Sequence, residues 1–175
     1  MMGRFVAVGA ALVGAATVVL GTLVVASSSA VTAPQIELVD QTLTPFDVQD
    51  PAIARLGPRV LTAVQNAANA AAADGVIMTV TSGWRSPVFQ QTLLDNAVQT
   101  YGSVAAAREY VQTPAASRHV TGEAVDIGGA GADQWLIANG PRFGLCQIYA
   151  NELWHFELVA DPMGNCPPLL PNAAG

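Results

Sequence analysis

The spacing of apolar positions changes several times along the chain, and each change marks an element. Phe5 to Ala26 is apolar apart from Thr17 and Thr22. Val31 to Pro51 carries Pro34, Pro45 and Pro51 among threonines, glutamines and aspartates and reads as an extended linker, in which Ile36, Leu38 and Leu43 can dock on the domain that follows. Gly57-Pro58 opens a helix whose Val60, Val64, Ala67 and Ala71 recur at helical spacing until Asp74-Gly75 stops it. Val76 to Thr81 is a β-branched run bounded by glycines and predicts a strand. Ser86-Pro87 then starts a second helix reaching about Thr100, and Ser103 caps a third running to Val111.

Gln112 to Ser117 reads as a loop, and Thr121-Gly122 as a turn. In the strand Ala124 to Ile127, alternation puts Ala124 and Asp126 on one face and Glu123, Val125 and Ile127 on the other. Asp133 to Asn139 predicts a short helix with Trp135 and Leu136 inward, and Phe143 to Ile148 leads back into the sheet. Trp154 to Val159 is the last strand, with His155 and Glu157 on one face and Trp154 and Phe156 on the other, towards the core. There is no internal repeat. The pattern divides the chain into an N-terminal apolar segment (1–30), a linker (31–51), one domain (52–166) and an irregular proline-rich tail (167–175). The fold class expected is α+β, a small and largely antiparallel sheet flanked by helices.

Seven arginines and no lysine stand against thirteen acidic residues, for a net charge of −6. With no basic stripe, this composition argues against a nucleic-acid partner. The N-terminal segment has Arg4 before a long apolar run and the small residues Ser28-Ser29-Ala30 after it. It is either a cleaved signal peptide or a membrane anchor, and both place the remainder outside the cytoplasm, with membrane contact only through that segment. In an oxidising compartment Cys146 and Cys166 are expected to form a disulfide rather than to ligate metal.

The chain has only two histidines, His119 and His155, and each has carboxylates nearby. His119 from a loop, Asp126 from the next strand and His155 from a later strand supply three ligands of the kind a catalytic zinc requires, one zinc per chain. Attack on an amide also needs a base. Glu152, just outside the last strand, is the candidate; Glu157 shares the face of His155 and competes for the role or holds the histidine. Arg85, delivered by a glycine turn after a strand, can grip a carboxylate or an oxyanion with two parallel hydrogen bonds.

Together, Ser82-Gly83-Trp84-Arg85-Ser86, Ser117-x-His119-x-x-Gly122-x-Ala124-x-Asp126 and Glu152-x-x-His155 resemble the bacterial zinc D-alanyl-D-alanine carboxypeptidases, a group that includes the vancomycin-resistance enzymes. The resemblance runs from about Val76 to Val159 and implies the fold shared with lysostaphin-type peptidases and the hedgehog domain. It implies zinc on His119, Asp126 and His155, Glu152 as catalytic acid/base and Arg85 stabilising the transition state. It also implies Ser117 beside the substrate, Gln90 (with Gln91 adjacent) after the arginine, and Trp84 as an aromatic wall where the family commonly has tyrosine. The activity implied is cleavage at the D-alanine end of peptidoglycan stem peptides; the chain is separately expected to be exported, on its N-terminal segment, and monomeric. L,D-carboxypeptidase and endopeptidase activities of the same family, and a non-catalytic zinc-containing wall-binding module, are the alternatives.

Overall fold

The computed structural model describes residues 42–175. Positions 1–41, including the apolar segment, Ile36 and Leu38, lie outside the described residues. Among the described residues no helix is long and apolar enough to cross a membrane.

Helices are α1 (Pro51–Ala54), α2 (Pro58–Ala73), α3 (Pro87–Tyr101), α4 (Val104–Arg108), α5 (Arg118–Thr121) and α6 (Ala132–Asn139). Strands are β1 (Thr79–Ser82), β2 (Ala124–Gly128), β3 (Leu145–Gln147) and β4 (His155–Leu158). They form one antiparallel sheet in the order β1-β2-β4-β3. The α+β expectation holds.

Asp50 caps α1, Ser86 caps α3 and Ser103 caps α4 through their side-chain oxygens, and each of α1, α2 and α3 begins with proline. Val60, Ala63, Val64, Ala67, Ala68 and Ala71 bury one face of α2. That face meets Val80, Val125, Ile127, Leu136, Leu145 and Phe156 in the main core. Leu94, Ala97 and Ala107 build a smaller cluster between α3 and α4.

Register decides what the other face of the sheet carries. Ala124 pairs with Glu157, Val125 with Phe156 and Asp126 with His155. Directly opposed residues share a face, so Val125 and Phe156 enter the core while Asp126, His155 and Glu157 collect on the opposite side. A slip of one residue would bury His155 in the apolar core.

Five local expectations change. Strand β1 starts at Thr79 rather than Val76, and α4 stops at Arg108 rather than Val111. His119 sits on the single turn of α5, not in a loop. Trp154 precedes β4 and is 45% exposed, because the strand begins at His155; it is not core. The end of the linker is built into the domain: Val80 donates to Leu43 O at 2.7 Å, and Gln65 Nε2 donates to Pro45 O at 3.0 Å.

Candidate metal centre and active site

Three elements converge on the polar face of the sheet. Gly122 ends α5 in the left-handed region (φ 74°), and its carbonyl accepts from Gly57 N at 2.8 Å. A Cβ at this position would run into the Arg55 carbonyl. Glycine therefore allows the chain to turn from His119 into β2 against the start of α2. On its other side α5 is held by the turn after β1: Arg85 N donates to His119 O at 3.1 Å, and His119 Nδ1 donates to Gly83 O at 2.8 Å.

That last bond fixes the tautomer. A carbonyl only accepts, so Nδ1 carries the proton and Nε2 of neutral His119 presents a lone pair. His155 is set the opposite way: its Nε2 donates to Glu157 Oε1 at 3.1 Å, leaving Nδ1 inward. His119 Nε2, His155 Nδ1 and Asp126 Oδ1 then lie 3.2, 3.2 and 3.1 Å from one another. Bonds of about 2.0–2.1 Å to a tetrahedral zinc put adjacent ligands about 3.3 Å apart. His119, Asp126 and His155 are all buried. Three lone pairs facing one another at these separations in a buried site fit a metal cation.

The electrostatics agree. Burial opposes ionisation of Asp126, yet the imidazoles of His119 and His155 hold its carboxyl well below the ordinary value. Burial alone would push His155 down, but the hydrogen bonds to Asp126 and Glu157 outweigh it and raise it to about 9. In the metal-free protein a proton therefore occupies the position a cation would take. Glu157, the competitor for the base role, is spent on holding His155.

Glu152 is buried, and its Oε2 lies 4.0 Å from His155 Nδ1, too far for a hydrogen bond but beside the metal position. Its Oε1 is buried and, among the described residues, has no hydrogen-bond partner. Burial lifts its pKa to about 7. A carboxyl group this close to neutral, beside the metal position, suits a group that takes up and returns a proton.

Arg85 donates to Ser82 Oγ (2.7 Å), Gln90 Oε1 (3.3 Å) and Asp126 Oδ2 (2.6 Å). Each terminal nitrogen keeps a second N–H, and the residue lines the cleft. Gln90 is 1% exposed and also donates to Gln112 O at 2.8 Å, so it steers Arg85, whereas Gln91 is bonded to Asp95 on the outer face of α3. Ser117 occupies the N-cap position of α5 without a side-chain capping bond; it is buried and lines the cleft.

Trp84 departs from expectation. It is not among the cleft-lining residues. Its Nε1 donates to Val120 O at 3.1 Å, its N–H to Ala52 O at 2.8 Å, and Arg55 lies 4.3 Å over its ring. It braces α5 against α1 from behind. Glu123 is turned outward, as strand parity requires, and pairs with Arg118 at 2.6 Å. Cys146 and Cys166 form the expected disulfide and are not ligands.

The cleft over these groups has a volume of about 250 Å³. Sequence reasoning missed Tyr149, Trp154, Tyr110 and Ala173 in its lining. Tyr149 had a local signal, since it stands three residues before Glu152, and its ring lies 5.0 Å from that of His155. Ala173 had none.

Residues 54–161 match the family model described as VanY, D-alanyl-D-alanine carboxypeptidase. A D-alanyl-D-alanine carboxypeptidase of Enterococcus faecalis (strain ATCC 700802 / V583) is 32% identical over 130 residues, covering 60% of this chain and 48% of the relative. The chain thus spans about half the length of that curated relative. A mutant of the vancomycin-resistance D,D-pentapeptidase VanY from a VanB-type cassette, solved in complex with Zn(II), is 32% identical with a TM-score of 0.55, over 58% of this chain and 71% of the other. VanYB in complex with D-alanine-D-alanine is 30% identical with a TM-score of 0.58, over 62% and 74% of the two chains. With the family match spanning more than half of its length and falling on the elements that build the site, the chain belongs to the VanY family of D-alanyl-D-alanine carboxypeptidases.

Proposed function

We propose that this protein is a zinc carboxypeptidase that removes the terminal D-alanine from peptidoglycan stem peptides. The observation that carries the reading is the triangle of His119, Asp126 and His155 with the unpartnered carboxylate oxygen of Glu152 beside it. Zinc held there supplies a Lewis acid for the scissile carbonyl and lowers the pKa of water towards about 7.

The protein's own groups do the rest. Glu152 accepts the proton of the attacking water and hands it to the departing amine, for which its pKa of about 7 suits it. Arg85, with one N–H spare on each terminal nitrogen, donates to the oxyanion that develops on the carbonyl. Ser82, Gln90 and Asp126 hold the guanidinium before substrate arrives, so its alignment costs little during the reaction. Glu157 and the Gly83 carbonyl fix the two imidazoles by their outer nitrogens. The uncommitted Ser117 side chain is available to the peptide.

Two features support a wall substrate. The relatives act on or bind D-alanyl-D-alanine, and the apolar segment after Arg4 is that of an exported or anchored protein. The test incubates the protein with stem pentapeptide and tetrapeptide, with and without chelator, and identifies products by mass. Chelator-sensitive release of one D-alanine from the pentapeptide is the expected result. Cleavage of the tetrapeptide alone would mean an L,D-carboxypeptidase. No cleavage of any stem at full zinc occupancy would leave a wall-binding module.

A further inference from the structure

One residue of the cleft lining, Ala173, comes from outside the family match, which ends at residue 161. Leu170 forms a parallel bridge with Tyr149: its N–H donates to Ile148 O at 2.9 Å, and its carbonyl accepts from Ala150 N at 2.8 Å. Three residues later, Ala173 N donates to Glu109 O at 3.2 Å, and its carbonyl accepts from the side-chain amide of Gln112. Ala173 is 3% exposed and lines the cleft. The segment therefore runs from the turn that carries Glu152 to the loop between α4 and α5. Asn151 Nδ2 donates to the same Glu109 carbonyl at 2.9 Å, closing the connection. Upstream, the disulfide fastens Cys166 to Cys146 on β3.

We propose that Leu170 to Ala173 forms an end wall of the cleft that excludes peptides continuing beyond the scissile bond, and so makes this centre a carboxypeptidase rather than an endopeptidase. The inference rests on the peptidase reading above. Ala173 is the residue of this segment that lines the cleft, and its main chain is pinned to Glu109 and Gln112, so it narrows the cleft at that end. This wall is held largely by main-chain hydrogen bonds, so no side-chain rotation opens it. It is also tied to the reacting end of the site: Gln112 accepts from Gln90 through its carbonyl, and Gln90 accepts from Arg85.

The test uses two peptides with the same D-alanyl-D-alanine bond, one ending at the second D-alanine and one continuing two residues past it. They are given to the wild-type chain, to a chain ended after Cys166 and to Ala173→Leu, with zinc content and thermal melting measured on each. The wild type should cleave only the terminal peptide. Ending the chain after Cys166 should raise the ratio of kcat/KM for the extended over the terminal peptide about tenfold or more, and Ala173→Leu should raise KM for the terminal peptide about tenfold with kcat nearly unchanged. Equal cleavage of both peptides by the wild type overturns the wall. So does an unchanged ratio in a shortened chain that keeps its zinc. If the shortened chain loses zinc, an unchanged KM in Ala173→Leu overturns it instead. A zinc-loaded wild type that cleaves neither peptide overturns the peptidase reading and the wall with it.

Discussion

On the proposed mechanism turnover depends on Glu152, and two measurements separate its chemistry from its structural cost. Glu152→Gln keeps shape and removes the base, so kcat should fall by about 10²–10⁴ while zinc stoichiometry stays at that of the wild type. The same change should stabilise the metal-free protein above neutral pH. Burial raises the carboxyl from 4.5 to about 7 in the folded state, so the folded protein holds this proton more tightly than the unfolded chain does. Its contribution is fully present below about pH 4.5 and is lost as pH rises through about 7. Wild type and Glu152→Gln without metal should therefore melt alike near pH 4, and the variant should melt higher at pH 8. Equal melting at both values would remove burial as the cause of the shift. His155 has the complementary behaviour. Its pKa of about 9 means that a metal must displace its proton at neutral pH, so metal affinity should rise with pH up to about 9, and titration calorimetry at pH 7 in buffers of different ionisation enthalpy should detect about one proton released per metal.

At the scale of elements, the sequence was most legible where one local rule sufficed. Proline at the starts of α2 and α3, caps at Ser86 and Ser103, and alternation in β2 depend on neighbours only a few residues away, and the alternation separated Asp126 from Glu123 correctly. Trp154 was misplaced because its residue type favours a strand while pairing begins one residue later, at Asp126 opposite His155. Trp84 was misplaced because its partners, Arg55 and Val120, come from elements that only the tertiary fold brings together. The segment after Cys166 carried no periodic signal, since its order comes from pairing with Tyr149 and Glu109, far back in the chain. Gly122 shows how a tertiary demand falls on one residue. Gly122→Ala puts a Cβ against the Arg55 carbonyl at a positive φ. It should cost about 1–2 kcal/mol from backbone conformation alone and more from the overlap. Because α5 hangs from this turn, metal affinity should fall together with the denaturation midpoint; an unchanged midpoint would show that the turn relaxes freely.

In the molecule as a whole, two cross-links of different chemistry hold the same sheet. The metal position joins α5, β2 and β4, while the disulfide joins β3 to the segment beyond residue 166. Neither cysteine contributes a ligand, so each link should open without the other. Cys146 and Cys166 are separated by 20 residues, and closing a loop of that size stabilises a domain by about 3 kcal/mol on the chain-entropy account. Metal at about a thousand times its dissociation constant contributes about 4 kcal/mol by mass action, and that contribution shrinks as protons compete for His155. Reduction with a phosphine that does not bind zinc should therefore lower the denaturation midpoint while zinc stays bound. Chelation should lower it with the disulfide intact, and by more at pH 8 than at pH 6. The effect of reduction should be local: it removes the tie of Cys166 to β3 but leaves the main-chain hydrogen bonds of Leu170 and Ala173, and the pairing of Asp126 with His155, in place. Zinc released stoichiometrically on reduction would show instead that the wall, and not the register of β2 and β4, keeps the three ligands together.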